Sequence, residues 1–177
     1  MLKTNRLNLR PFTFEDLNLL YQLHANPEVA KTTIDGIQSP ETVKKHLESF
    51  IANQEKFGHS QWAVFENDGG KFIGRGGLTT RSLNKEVGEQ TEVRFAFLPE
   101  FWGKGYTSEI TEALVKFAFE NLKLEILVAA NGLNNEKSAR VLIKNGFKYI
   151  KDIVPEGYGS KDKIRYYTIT KFLKLAK

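Results

Sequence analysis

Cysteine is absent from all 177 residues, which excludes disulfides, thiolate nucleophiles and zinc sites built on sulfur. Histidine is scarce: His24, His46 and His59 lie far apart and form no HxxxH-type ligand pair, so surface or satisfied core positions account for them. No metal is expected. No apolar run approaches the roughly 18 residues of a membrane span, and the opening MLKTNRLNLRPF lacks the apolar segment of a secretory signal. A soluble, cytoplasmic protein with no membrane partner is therefore expected. Proline occurs five times and never gathers with glycine or serine into a linker, and no repeat or low-complexity tract is present, so residues 1–177 read as one domain. Positive charge is in excess, at a formal +5, but its densest clusters are short: Lys44-Lys45, and Lys171, Lys174 and Lys177. Without a basic helix face or basic residues interleaved with exposed aromatics, no nucleic-acid partner is expected.

What remains is a mixed α/β chain. RLNLRPF alternates like a strand, and Thr13 then stands as the cap of a helix over FEDLNLLYQLH. A second helix has Ser39 at its start, Pro40 at its first position and Gly58 as its stop. QWAVFE and KFIGRGGLTTRS flank the turn Asn67-Asp68-Gly69-Gly70 and form a hairpin, and TEVRFAFL follows as a strand. A helix over ITEALVKFAFENL carries its apolar face on Ile110, Ala113, Leu114, Phe117, Ala118 and Leu122. EILVAA is a short buried strand, NNEKSARVLIKNGF a helix stopped at Asn145-Gly146, and FKYIKDIV with IRYYTITKF a closing hairpin. The sheet is mostly antiparallel, interrupted by one β-loop-α-β unit.

That unit contains FWGKGYTSE, residues 101–109. Gly103 and Gly105 remove side chains where a helix start leaves amide N–H groups without intrahelical partners and where the helix dipole is positive. The result is a cradle for a phosphate or pyrophosphate, with Lys104 adding charge at its rim. Taken in isolation, the same turn reads first as a plain glycine-rich approach to a helix with no ligand. The spacing matches neither a Walker loop nor the GxGxxG of a dinucleotide fold.

TNRLNLRPFTFEDL, KFIGRGGL, EVRFAFLPEFWGKGYTSE and NNEKSARVLIKNGF, in this order and spacing from about Leu2 to Lys171, resemble the RimJ/RimL-like branch of the GNAT (Gcn5-related) N-acetyltransferases. The resemblance implies the GNAT fold: a mostly antiparallel sheet of about six to seven strands, helices on both faces and a splayed central strand pair. It implies acetyl-CoA as cosubstrate, no metal, and a primary amine as acceptor, either a protein N-terminus or a small molecule. A monomer or homodimer is expected.

The family's Q/R-x-x-G-x-G/A pattern falls on Trp102, Gly103, Lys104, Gly105, Tyr106 and Thr107, and the amides from Gly103 to Ser108 would take the coenzyme pyrophosphate. Trp102 replaces Gln/Arg, as is usual in this branch, and Thr107 replaces Gly/Ala, narrowing the space while adding a hydroxyl. Phe95, Ala96 and Phe97 fall where the family's main chain pairs with the pantetheine arm. Glu92 matches the glutamate that faces acyl transfer, a base for an amine that must lose a proton before it attacks; read alone it is a solvated strand residue beside Arg94. Asn135 and Ser138 form an NxxS element one helical turn apart, Asn135 toward the coenzyme arm and Ser138 near the thioester sulfur, although Asn135 reads equally as an N-cap. Leu142 stands where many relatives carry the tyrosine that protonates the leaving thiolate, which leaves Ser138 or a water for that step. It also keeps open a catalytically weak, coenzyme A-binding sensor. The acceptor is left to HANPEVAKTTIDGIQSPETV and VPEGYGSKDK, which carry no decisive pattern; Trp62 and Tyr106 read as core or wall residues.

Overall fold

A computed structural model describes residues 1–33, 36–156 and 162–171. Parts of both acceptor segments (34–35 and 157–161) and of the C-terminal lysine cluster (172–177) lie outside the described residues. Contacts divide the chain into two compact units, residues 1–79 with 94–106, and residues 80–93 with 107 onward.

The first unit opens with β1 (Leu2–Lys3) and β2 (Leu7–Pro11), followed by α1 (Leu17–His24), the short α2 (Pro27–Ala30) and α3 (Pro40–Phe57). It continues with β3 (Gln61–Glu66) and most of β4 (Phe72–Ser82), and takes in the end of β5 (Glu89–Phe97). Its strand order is β1-β2-β3-β4-β5. β2 and β3 pair antiparallel from Leu7↔Glu66 to Pro11↔Trp62, and β3 meets β4 with a bulge between Val64 and Phe65. α3 has the expected bounds: the Ser39 hydroxyl accepts from the Thr42 N–H at 3.2 Å, Pro40 leads, and Gly58 closes it at φ 71°. It packs on β2, β3 and α1, around Leu7, Leu9, Leu20, Leu23, Val43, Leu47 and Val64, all at most 1% exposed.

The helix expected from residue 14 becomes α-helical only at Leu17. Asp16 turns its carboxylate back to the Thr13 N–H at 2.8 Å and to both terminal nitrogens of Arg10 at 2.7 Å, which tightens residues 14–16 into a 3-10 turn. In β4 the glycines of KFIGRGGL mark close backbone approaches. A Cβ on Gly74, whose φ is 150°, would lie 2.2 Å from the Ala96 carbonyl oxygen.

The second unit holds the start of β5, α4 (Tyr106–Glu120) from Thr107 onward, β6 (Ile126–Gly132), α5 (Glu136–Lys144), β7 (Lys148–Ile153) and β8 (Ile164–Thr170). Its order runs β5-β6-β8-β7. β8 pairs antiparallel with β6 from Ile126↔Thr170 to Gly132↔Ile164 and on its other side with β7, the expected closing hairpin. β5 is parallel to β6 and registered to it at the single pair Glu92↔Val128, the separation expected of the central strands.

Eight strands are described, the additional one being the two-residue β1. α4 begins at Tyr106, four residues before the expected start, and buries Ile110, Thr111, Leu114, Val115, Ala118 and Phe119. Ala113, Phe117 and Leu122 of the expected face are only half-buried. Thr111 enters the core because its hydroxyl donates to the Thr107 carbonyl at 2.7 Å, so it carries no unsatisfied polar group inward.

Candidate active site

The turn of residues 98–105 is set by local chemistry. Pro99 to Phe101 form one 3-10 turn, and Phe101 drives its ring inward until it is 2% exposed. Gly103 and Gly105 then take φ of 77° and 81°, a left-handed backbone that residues with a Cβ rarely adopt, and α4 starts directly after them. Thr107 and Ser108 thus lie in the helix's first turn, where amides have no intrahelical acceptor by geometry.

In the first unit, Trp102 is 38% exposed, and its indole N–H donates to the Phe97 carbonyl at 2.7 Å. The strand-like pairing expected of Phe95, Ala96 and Phe97 therefore has one carbonyl already engaged. Ala96 and Phe97 are buried and Phe95 is half-buried. Lys104 places its ammonium 4.8 Å from the centroid of the Phe101 ring, and Lys71 lies over the same ring at 4.9 Å. Tyr106, a wall residue at 9% exposure, donates its hydroxyl to Glu66 Oε1 at 2.6 Å and lies under the guanidinium of Arg6, 4.5 Å from the ring centroid. Arg6 Nη1 also donates to the Lys104 carbonyl at 2.9 Å. Three cations gathered at two left-handed glycines suit a polyanionic coenzyme carrying phosphates. Lys104 lies inside the glycine motif, whereas Arg6 and Lys71 come from distant segments and carry no such local signal.

In the second unit, Glu92 is not the solvated residue beside Arg94 that its sequence neighbourhood suggests. It is 2% exposed, and its Oε2 accepts from Arg81 Nε at 2.7 Å. Thr80 and Thr91 pair at 3.0 Å in the same hairpin. The signal available was hairpin symmetry: Arg81 and Glu92 flank the SLNKEVGEQ turn on strands that alternate toward one face. Glu92 stands in one row with Val128 and Thr168.

Asn135 is the N-cap of α5, its Oδ1 accepting from the Ser138 N–H at 3.0 Å. Asn131, 6% exposed on β6, donates to the Asn135 carbonyl at 2.8 Å and fixes that corner. The N-cap reading of Asn135 is the one this bond supports. Ser138 is half-buried, and Ser108 accepts from Asn145 Nδ2 at 3.1 Å. Leu142 is 1% exposed, a core residue.

One further polar cluster joins residues with no sequence pattern in common. Arg75, 3% exposed in the first unit, donates from Nε to His24 Nε2 at 3.1 Å and from Nη1 to Gln61 Oε1 at 2.6 Å. Burial, followed by the charges of Arg75, His46 and Arg94, pushes the His24 imidazole down from 6.5 to about 2, so it is neutral and an acceptor. Among the described residues, no group of three or more His, Asp or Glu is placed to hold a metal ion.

Residues 6–148 match the acetyltransferase (GNAT) domain family. The chain is 29% identical over 150 residues to the uncharacterized N-acetyltransferase YoaA of Bacillus subtilis, covering 84% of this chain and 82% of that protein. An acetyltransferase from Agrobacterium tumefaciens superposes with a TM-score of 0.80 at 25% identity, over 96% of this chain and 94% of that one. The ribosomal alpha-N-protein acetyltransferase RimL, solved with coenzyme A, superposes with a TM-score of 0.77 at 18% identity, over 94% and 95% of the two chains.

Proposed function

The chain belongs to the acetyltransferase (GNAT) family, and on that premise we propose that it transfers an acetyl group from acetyl-CoA to a primary amine, either a protein N-terminus or a small molecule. The observation that carries the coenzyme part is the pair of left-handed glycines, Gly103 and Gly105, opening directly onto the 15-residue helix α4. Amides of residues 103–108 take the pyrophosphate, and Lys104 adds charge at the rim. Trp102 walls the turn. The main chain of Phe95, Ala96 and Phe97 lines the pantetheine arm, and Asn135 hydrogen-bonds to it.

Acetyl-CoA supplies an activated thioester acyl group. The chain supplies what the amine needs. A protonated amine cannot attack, so Glu92, held by Arg81 at Oε2, accepts its proton, directly or through a water. The amine nitrogen bonds to the acyl carbon and loses its second proton to solvent, the carbon–sulfur bond breaks, and the sulfur takes a proton from a water or from Ser138, which solvent then reprotonates, because Leu142 offers none. Glu92→Gln is expected to lower turnover by about a hundredfold and to change its pH profile, with coenzyme affinity intact. Turnover in the variant that follows the wild-type profile from about pH 6 to about pH 9 removes Glu92 from the mechanism.

The deciding experiment pairs calorimetry with acetyl-CoA and a thiol-release assay over a panel of small amines and N-terminal peptides. Release of coenzyme A with one acceptor class establishes the reaction and identifies the acceptor. Tight binding without release for any amine would make the chain a coenzyme A-binding sensor, the reading favoured by the buried Leu142.

A further inference from the structure

The N-terminal segment TNRLNLRPFTFEDL carries two arginines, of which only Arg6 reaches the glycine turn, where it adds a positive charge. Arg10 belongs to its own corner, bidentate to Asp16 at 2.7 Å and 4.8 Å from the centroid of Phe65. Arg6 reaches out of that corner to a loop 98 residues away. Its Nη1 donates to the Lys104 carbonyl at 2.9 Å, and its guanidinium carbon lies 4.5 Å from the Tyr106 centroid. A Cβ on Gly105 would stand 3.5 Å from its Nη2. One side chain therefore borders three consecutive residues of the turn.

Glycines on both sides of Lys104 make that turn soft, because glycine reaches left-handed and right-handed backbone with similar ease. Its conformation has to be fixed from outside. The Lys104–Gly105 peptide is trans, since no cis bond occurs among the described residues. In a trans peptide the carbonyl and the following N–H point in opposite directions. Holding the Lys104 carbonyl on Arg6 thus turns the Gly105 N–H the other way and keeps a carbonyl dipole from rotating toward an anion.

We propose that Arg6 is a positioning residue for the coenzyme: it pins the Lys104–Gly105 peptide plane, presenting the Gly105 N–H to the phosphates, without itself donating to them. The inference rests on the reading of residues 103–108 as the pyrophosphate site. It gives the first signature segment a role at that site.

The test compares the full chain with Arg6→Gln and Arg6→Lys by calorimetry with coenzyme A and by thermal unfolding with and without it. Loss of a charge-assisted bond to the carbonyl predicts coenzyme affinity about tenfold weaker in Arg6→Gln. Arg6→Lys keeps the charge but lacks the planar fork that bonds and stacks together, and is expected not to restore it. The Tm of the ligand-free variants stays near that of the wild type, while the coenzyme-induced rise in Tm shrinks. Full affinity in Arg6→Lys would reduce Arg6 to a point charge and overturn the proposal. Unchanged affinity in Arg6→Gln, or a ligand-free Tm that drops while affinity holds, overturns it as well. Failure of the wild-type chain to bind coenzyme A would sink the reading of the turn first and this inference with it, whereas wild-type binding matched by both variants sinks the inference alone.

Discussion

Arg75 and Arg81 lie on the same strand, six residues apart, and the acceptors they hold include different kinds of group. Arg75 is bonded to His24 Nε2 and Gln61 Oε1, both neutral. Arg81 is bonded to the Glu92 carboxylate, with 17% of its own side chain exposed. Burial, and after it the charge of Arg75, keeps His24 unprotonated far below its ordinary range. A cation matched by a carboxylate holds that carboxylate in place. One arginine organises a core; the other aims a candidate base.

Breaking the matched pair is expected to have the largest effect. Arg81→Met leaves Glu92, 2% exposed, without its guanidinium, and removing one partner of a buried ion pair costs about 3–5 kcal/mol. The partial exposure of Arg81 places the expectation at the low end, about 3 kcal/mol by urea unfolding at pH 7. Adding Glu92→Gln to the same chain should recover most of that loss, since an uncharged amide tolerates burial better. A loss under about 1 kcal/mol would mean that the pair behaves as a surface contact.

The Arg75–His24 contact is expected to fail through pH. His24 titrates at about 2 in the folded chain against 6.5 as its reference. Above pH 6.5 neither state binds the proton and the group contributes nothing. Below it, the unfolded chain takes up a proton that the folded chain refuses, so stability falls by about 1.4 kcal/mol per pH unit as pH drops toward the folded value. Burial lowers His59 as well, which acts in the same sense. Between pH 7 and pH 5 the expected loss from His24 is about 2 kcal/mol, read as a falling urea midpoint. His24→Gln places an amide acceptor near the position of Nε2 and does not titrate, so its midpoint should fall less over the same range. Equal falls in the two proteins would show that His24 is not the group that titrates.

What could be read in the sequence was local. Ser39, Pro40 and Gly58 bound α3 because capping is decided within a few residues, and FWGKGYTSE reads as a helix entrance for the same reason. What could not be read joins residues far apart: Arg6 to Lys104 and Arg75 to His24. No periodicity encodes those pairs. α4 shows the boundary between the two. Its apolar spacing identified a helix, yet the buried stripe includes Val115, Phe119 and Thr111 in place of Ala113, Phe117 and Leu122. Spacing fixes that a face exists, whereas packing sets its rotation.

A bond without any charge calibrates both arginines. The Trp102 indole N–H meets the Phe97 carbonyl at 2.7 Å, and Trp102→Phe removes that donor while keeping an aromatic ring. A neutral hydrogen bond contributes about 1 kcal/mol, less than either arginine should, and neither partner titrates between pH 5 and pH 7. Urea unfolding should therefore show a loss of about 1 kcal/mol for Trp102→Phe, equal at both pH values. A loss as large as that of Arg81→Met would mean that charge is not what separates these contacts. Desolvation of the partner left behind would then be the common cause, and the contrast along β4 would be one of burial alone.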